Sequence, residues 1–137
     1  MKIETYLLFN GNCEAAFEFY AKCLNGKTNV MKYAGSPAEE HTPPGWGDKV
    51  LHAQVDFGDA ILLGSDAPPD RGEKPQGFSV AYQAKDAAEA ETVFNKLSEG
   101  GEIRMPFGKT FWSDGFGMFV DQFGIPWMIN TDMEQHG

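Results

Sequence analysis

The chain has 137 residues, 42% of them hydrophobic and 23% charged, and a formal net charge of −9 at pH 7. This length fits one domain, and the composition is typical of a folded globular protein rather than a disordered or membrane-spanning one. Eleven basic residues against twenty acidic ones, with no basic cluster, argue against nucleic acid as a partner. No apolar run reaches the length of a signal-peptide core or a membrane span, so we expect a cytoplasmic protein without membrane contact.

The first half predicts a strand, a helix and three more strands. Residues 2–10 are rich in β-branched and aromatic residues, and the helix that follows begins at Asn12 and ends at Gly26. The two cysteines lie ten residues apart on this helix, too far to bridge, and are expected to be buried thiols. The predicted elements are strand 2–10, helix 12–25 and strands 28–34, 50–57 and 60–66, with a loop at 34–48 that is either a lid or disordered.

The second half repeats this order. Asp86, with Glu89 three residues later, predicts a capped helix that ends near Gly100. The predicted elements are strand 77–84, helix 86–99 and strands 102–107, 111–121 and 125–131. Aligning Thr5 with Ser79 superimposes the two strand–helix units, and "FGDAILLGSD" matches "FGIPWMINTD" at the two ends. The sequence therefore predicts an internal duplication with modules 1–66 and 77–137 joined by a linker at 67–76.

Three stretches, "LLFNGNCEAAFEFYAKCLNG", "VLHAQVDFGDAILLGSD" and "FWSDGFGMFVDQFGIPWMI", are similar to the signatures of the PhnB-like branch of the vicinal oxygen chelate superfamily. That superfamily includes glyoxalase I, extradiol dioxygenases, and fosfomycin and bleomycin resistance proteins. The resemblance implies an α+β fold of two tandem βαβββ modules, with mostly antiparallel curved sheets that enclose a cavity and helices on the outer faces. It also implies a homodimer.

In the superfamily's metal enzymes, the first and last strands of each module supply His or Glu ligands. By the repeat, the resemblance transfers these positions to Thr5, Leu62, Ser79 and Met128. None of these residues is a His, Asp, Glu or Cys, the side chains that such divalent ions require. We therefore expect no metal at this place, and no cofactor.

If Thr5 faces the cavity, strand alternation turns Leu7 and Phe9 inward and directs the intervening residues towards the helices. The residues expected under the helices are Tyr6, Leu8, Val80, Tyr82, Trp127 and Ile129. The expected substrate-binding residues are Thr5, Leu7, Phe9, Leu62, Ser79 and Met128, with Trp112 and Phe116 near the rim.

Two polar residues are candidates for catalysis. His52 could act as a general base, a common role of an imidazole, but a turn at 58–59 pairs it with Ser65 on the face opposite Leu62, which favours a structural hydrogen bond. Asp66 is expected near the cavity mouth, where it could contact a substrate or cap the turn that follows.

Three functions follow from these patterns. The first is a metal-free protein that binds an unidentified small molecule in an apolar cavity. The second is an enzyme of the same superfamily, such as a lyase, an isomerase or a dioxygenase-like enzyme, with relocated catalytic groups such as Asp66 and His52, and with or without a metal at a non-ancestral site. The third is an interaction protein with a filled cavity.

Overall fold

The computed structural model describes residues 1–67 and 74–132, which fall into two compact units. Residues 68–73 of the predicted linker and residues 133–137 of the predicted second module lie outside the described residues. The first unit contains β1 (Thr5–Phe9), α1 (Cys13–Leu24), β2 (Lys27–Lys32), a 3-10 turn (Glu39–His41), β3 (Val50–Asp56) and β4 (Ile61–Asp66). The second contains β5 (Val80–Ala84), α2 (Ala87–Leu97), β6 (Glu102–Gly108), β7 (Ser113–Val120) and β8 (Pro126–Asp132).

The two units share one topology, as the duplication predicts. The first sheet has the order β1-β4-β3-β2 and the second the order β5-β8-β7-β6. In each sheet the first and last strands of the unit pair in parallel, and the remaining neighbours are antiparallel. The expected α+β fold of two βαβββ modules is confirmed. No helix within residues 1–67 and 74–132 is long and apolar enough to cross a membrane.

Each helix covers one face of its own sheet. On α1 the buried residues are Cys13, Ala16, Phe17 and Tyr20, and on α2 they are Ala90, Val93, Phe94 and Leu97. These positions recur at three- and four-residue intervals, the spacing of a single helical stripe. The α2 helix begins as predicted, because the Asp86 side chain accepts a 2.8 Å hydrogen bond from the backbone N–H of Glu89.

The end of α1 differs slightly from the prediction. Asn25 adopts the left-handed conformation, with φ 59°, and its neighbour Gly26 meets a different demand. A Cβ atom at Gly26 would lie 2.6 Å from a Phe57 ring carbon, so only glycine lets the chain leave the helix against β3.

The loop at 34–48 is folded. It extends the β2–β3 hairpin through backbone hydrogen bonds from Tyr33 to Lys49 and from Ala34 to Gly47, at 3.0 and 2.8 Å. The Lys49 ammonium also donates to the Gly11 carbonyl at 3.2 Å, which holds the base of the loop near the start of α1.

Candidate functional site

The first sheet presents the predicted cavity residues to its helix. Leu7, Phe9 and Leu62 are only 2%, 3% and 6% exposed. The Phe9 ring meets the Phe17 ring of α1 edge to face at 5.8 Å, and a Cβ atom at Gly64, the register partner of Leu7, would lie 2.7 Å from the Phe17 ring. The predicted facing of this half was therefore wrong. Thr5 shares the side of Leu62, its register partner, and is exposed at the start of β1.

The error comes from the lengths of the two hairpin loops. In the first unit the backbone N–H of Phe57 bonds to the Ala60 carbonyl across two loop residues. In the second, Asp121 bonds to Ile125 across three. Counting from these closing residues, the equivalent of Met128 is Leu63 and not Leu62, and a shift of one residue exchanges the faces of a strand.

Buried Asp121 explains the longer loop. Its carboxylate accepts hydrogen bonds from the backbone N–H groups of Phe123 and Ile125, at 2.8 and 3.0 Å, and from the Trp127 indole at 2.8 Å. Trp127 is 2% exposed and stacks parallel to Phe119 at 6.5 Å, which confirms its predicted place in the core.

The face of the first sheet that points away from α1 is the first open face. Tyr6 and Leu8, predicted to lie under the helix, are on it and are 46% and 51% exposed. By register and alternation the face also carries residues of β2, β3 and β4. Its members are Tyr6, Leu8, Met31, His52, Gln54, Leu63 and Ser65.

His52 lies on the first open face. The observed pairing of Ala53 with Gly64 puts His52 opposite Ser65, as predicted, and its facing opposite Leu62 is also correct. The hydrogen-bond partner differs, because His52 Nδ1 lies 3.3 Å from the Tyr6 hydroxyl, with the two rings 5.7 Å apart. The His52 side chain is exposed.

Asp66 is a buried structural carboxylate. It is 1% exposed, and one of its oxygens accepts from the backbone N–H groups of Gly11 and Cys13 while the other accepts from Val50, each at 2.9 Å. The predicted contact with a substrate is inconsistent with this burial. The predicted capping role has a different target, since Asp66 caps the start of α1 in place of the Asn12 side chain, which makes no capping hydrogen bond.

The pKa of the Cys13 thiol is raised to about 12, mainly because the thiol is buried. The negative charges of Asp66 and Glu14 add to this effect. The thiol therefore stays protonated at neutral pH and is not a nucleophile.

The face of the second sheet that points away from α2 is the second open face. Its orientation follows from the opposite side, where Phe119 meets the α2 ring of Phe94 at 5.3 Å and a Cβ atom at Gly117 would lie 2.5 Å from it. Met128 has the predicted facing, and Ser79 lies half-buried just before β5 on the same side. Two rows of register partners cross the second open face: Ala81, Met128, Met118 and Met105, then Gln83, Asn130, Phe116 and Gly108.

Aromatic residues close one end of the second open face. The Trp112 ring lies edge-on to Phe116 at 5.3 Å and is 45% exposed, whereas Phe116 is 6% exposed. Phe111, 87% exposed, also meets Trp112, with the ring centroids 4.8 Å apart. The structure thus brings together the two aromatic residues that the sequence placed near a pocket rim.

Asn130 contributes a polar group to this apolar surface. Its Nδ2 donates to Gln83 Oε1 at 3.0 Å, while its Oδ1 is buried and has no hydrogen-bond partner. Strand alternation places both amides on this face, but a missing hydrogen-bond partner leaves no signal in a sequence.

The residues present do not fit the metal site that the resemblance implies. After correction of the first-half facing, the open-face positions are Tyr6, Leu63, Ser79 and Met128, which offer no carboxylate or imidazole. Across residues 1–67 and 74–132, no group of three or more His, Cys, Asp or Glu side chains could hold an ion. Divalent ions of this superfamily's kind need such ligands.

Comparison with known proteins gives consistent matches over nearly the whole chain. The profile of the glyoxalase/bleomycin resistance protein/dioxygenase superfamily matches residues 2–129. Protein YjdN of Escherichia coli (strain K12) is 31% identical, with 98% of each chain covered. The crystal structure of protein PA1353 from Pseudomonas aeruginosa is 41% identical, with a TM-score of 0.88 and 98% and 99% of the two chains covered. A Bacillus cereus PhnB protein, described as a putative 3-demethylubiquinone-9 3-methyltransferase, is 26% identical, with a TM-score of 0.76 and coverage of 96% and 99%.

Proposed function

Because the chain belongs to the glyoxalase/bleomycin resistance protein/dioxygenase superfamily, we propose that it binds a small organic molecule without a catalytic metal, and that the second open face is the binding surface. The observation that carries this proposal is the aromatic and methionine surface beside Trp112, which sits on the face that α2 leaves uncovered. Methionine side chains adapt to ligands of different shape, and indole rings bury large apolar areas.

The energetics support an aromatic or otherwise apolar ligand. Each 100 Å² of apolar surface removed from water contributes about 2.5 kcal/mol. An edge-to-face contact with an aromatic ring adds about 0.5–1.5 kcal/mol. We expect contact with the half-exposed Trp112 to be a main part of the affinity, with the methionine surface supplying the rest.

The binding proposal is tested by NMR titration of the ¹⁵N-labelled protein with a panel of small aromatic compounds. We expect shifts at Met118, Met128 and Asn130, and at least tenfold weaker binding by Trp112→Ala, a loss of about 1.4 kcal/mol. Phe78→Ala is the matched control, because Phe78 is also 45% exposed but does not belong to either row of the second open face. Binding that is equal in the two variants would refute the proposal.

Metal content is measured separately. Protein purified without chelator is expected to contain no stoichiometric zinc, iron, manganese or nickel, because the ligand positions carry no matching side chains. Stoichiometric metal in the folded protein would contradict the metal-free part of the proposal and leave the binding surface to be judged by the titration.

A second candidate function is acid–base catalysis on the first open face. The observation that favours it is the 3.3 Å contact between the Tyr6 hydroxyl and His52 Nδ1, which orients the imidazole. When Nδ1 donates to the hydroxyl oxygen, Nε2 is the acceptor that a general base requires. Asp66 is not part of this candidate, because backbone N–H groups engage both of its oxygens.

The catalytic candidate is tested by screening lyase and isomerase reactions on small carbonyl compounds. Any activity should be lost in His52→Asn and reduced in Tyr6→Phe, while His41→Asn, which alters an exposed histidine of the 3-10 turn, should leave it unchanged. Turnover that survives in His52→Asn would exclude this histidine as the base.

The methyltransferase description of the Bacillus cereus protein is not extended to this chain. The connection between β1 and α1, "NGN", has no glycine-rich GxGxxG pattern of the kind that binds a nucleotide-like cofactor at a helix start.

We also propose a homodimer, as the resemblance implies. Large apolar side chains such as Phe111 and Ile3, 87% and 91% exposed, support association with a second copy.

A further inference from the structure

The Asn130 side chain is half satisfied. Its Nδ2 has a partner in Gln83, but its Oδ1 has lost contact with water without gaining a donor. Buried acceptors are almost always paired, and leaving one unpaired is unfavourable because its lost hydration is not replaced. An orphaned acceptor beside a surface that is otherwise suited to a ligand is a group that a ligand N–H would satisfy once the atoms that cover it move aside.

The residues beside Asn130 Oδ1 determine which other groups a ligand would need. Gln83, Asn130 and Phe116 are register partners in one row, and Trp112 lies against Phe116. Gln83 uses its carbonyl oxygen for Asn130, so its amide nitrogen still has hydrogens to donate. The row therefore offers one acceptor and one donor beside an aromatic wall.

We propose that the second open face recognises the amide edge of a neutral, planar lactam or carboxamide attached to an aromatic ring. The ligand N–H donates to Asn130 Oδ1, the ligand carbonyl accepts from Gln83 Nε2, and the ring packs against Trp112. Exchanging nitrogen and oxygen in both side-chain amides would still leave one donor and one acceptor, so an amide edge is complementary in either assignment.

The composition of the two rows favours a neutral ligand at this place. Their eight residues comprise two amides, three methionines, one phenylalanine, one alanine and one glycine, with no charged side chain. An ion buried here would lose its hydration without a counter-charge, whereas a neutral amide keeps both of its hydrogen bonds.

The inference rests on the proposed binding surface and is tested with isoindolin-1-one and its N-methyl derivative. The pair shares the ring and the carbonyl, but one compound has an N–H where the other has an N-methyl group. Titration of the full chain, followed by tryptophan fluorescence and NMR shifts, should show at least tenfold tighter binding of the N–H compound, because only it can satisfy Asn130. In Asn130→Leu this preference should fall to less than twofold, since the acceptor is gone.

Two further variants keep the test decisive. Gln83→Leu, at an exposed position of edge strand β5, should weaken both probes, because both use the carbonyl. Asn95→Leu, an exposed asparagine on α2, should preserve the preference of the wild-type protein. Urea unfolding checks that each variant is folded.

The outcomes separate this inference from the proposed function. Equal affinities of the two probes in the wild type, or a preference that survives in Asn130→Leu, would overturn recognition of the amide edge. If Trp112→Ala still weakened both probes, the apolar binding surface would stand. Failure of both probes to bind up to their solubility limit would overturn the amide inference, and the aromatic panel would decide the binding surface independently.

Discussion

The buried carboxylate of Asp66 allows a quantitative test of how the first unit is held together. Three backbone N–H groups from two separate segments, at Gly11 and Cys13 before and in α1 and at Val50 in β3, converge on its two oxygens at 2.9 Å. In Asp66→Asn the remaining oxygen can still serve the two donors at the helix, but the new –NH₂ group faces the N–H of Val50, donor against donor.

The expected cost follows from this geometry. A hydrogen bond to a charged group contributes about 1.5–3 kcal/mol, and a buried donor without a partner costs about 1–3 kcal/mol. We expect Asp66→Asn to lower the free energy of unfolding by about 3 kcal/mol, a large share of the roughly 5–15 kcal/mol of a typical domain. With a denaturant slope of roughly 1.5 kcal/mol per molar urea, the unfolding midpoint should fall by about 2 M.

The assay is urea unfolding followed by circular dichroism. Asp132→Asn is the matched control, because Asp132 also ends the last strand of its unit but is exposed, and its replacement should change stability by less than about 0.5 kcal/mol. A midpoint of Asp66→Asn equal to that of the control would refute the anchoring role. It would also reopen the assignment of Asp66 as a group available to a ligand.

Three further predictions concern packing, titration and assembly. Gly117→Ala should lower the free energy of unfolding in urea by about 1–3 kcal/mol, because the new Cβ would lie 2.5 Å from the Phe94 ring. Gly108→Ala is the control and should not destabilise the protein, since nothing lies within 4 Å of its Cβ, and equal unfolding midpoints of the two variants would contradict the packing described. The Cys13 thiol is neutral in folded and unfolded chains below pH 9, and between about 9 and 12 only the unfolded chain ionises, so stability should fall there as pH rises. Going from about pH 8 to about pH 10, the wild type should lose about 1.4 kcal/mol more than Cys13→Ala, and parallel curves would disprove the raised pKa. Sedimentation should give roughly twice the chain mass of 15.1 kDa, and a monomer at micromolar concentration would contradict the proposed dimer.

The order of the elements was predictable because each half contains its own helix-capping and turn residues. The Asp86 cap, the apolar stripe of α2 and the turn at Gly58 all act over a few residues, and the structure has them where local patterns indicate. The duplication then predicted a common topology for both sheets, since equal patterns fold equally.

The face of the sheet on which each side chain lies was harder to predict, because it depends on the exact number of residues in the hairpin loop. The two- and three-residue hairpin loops look alike as "FGD" and "FGI", and they differ in their closing backbone hydrogen bonds and in the side-chain bonds of Asp121. Because the two loops differ by one residue, Leu63 and not Leu62 lies on the first open face, together with His52. The second half, where the resemblance was aligned on the correct residue, was assigned without this error.

Long-range polar contacts were out of reach for the same kind of reason. The donors to Asp66 lie 55, 53 and 16 residues away in sequence, so no local pattern predicts that they meet. The contact between Tyr6 and His52 spans 46 residues and required the register of three strands to be known.

The strand order of each sheet also bears on how the protein is made. The last strand of each unit, β4 or β8, lies between the first strand and the third. Until it leaves the ribosome, the first strand has no partner and the third strand is paired on one edge only. In the first unit, Thr5 pairs with Leu62, and β1 therefore stays without its partner during the synthesis of more than fifty residues. Pairing over such separations is slow and exposes strand edges to wrong partners. A nascent chain stalled just before β4 or β8 is expected to be a substrate for chaperones, and release of about ten more residues should let that unit close.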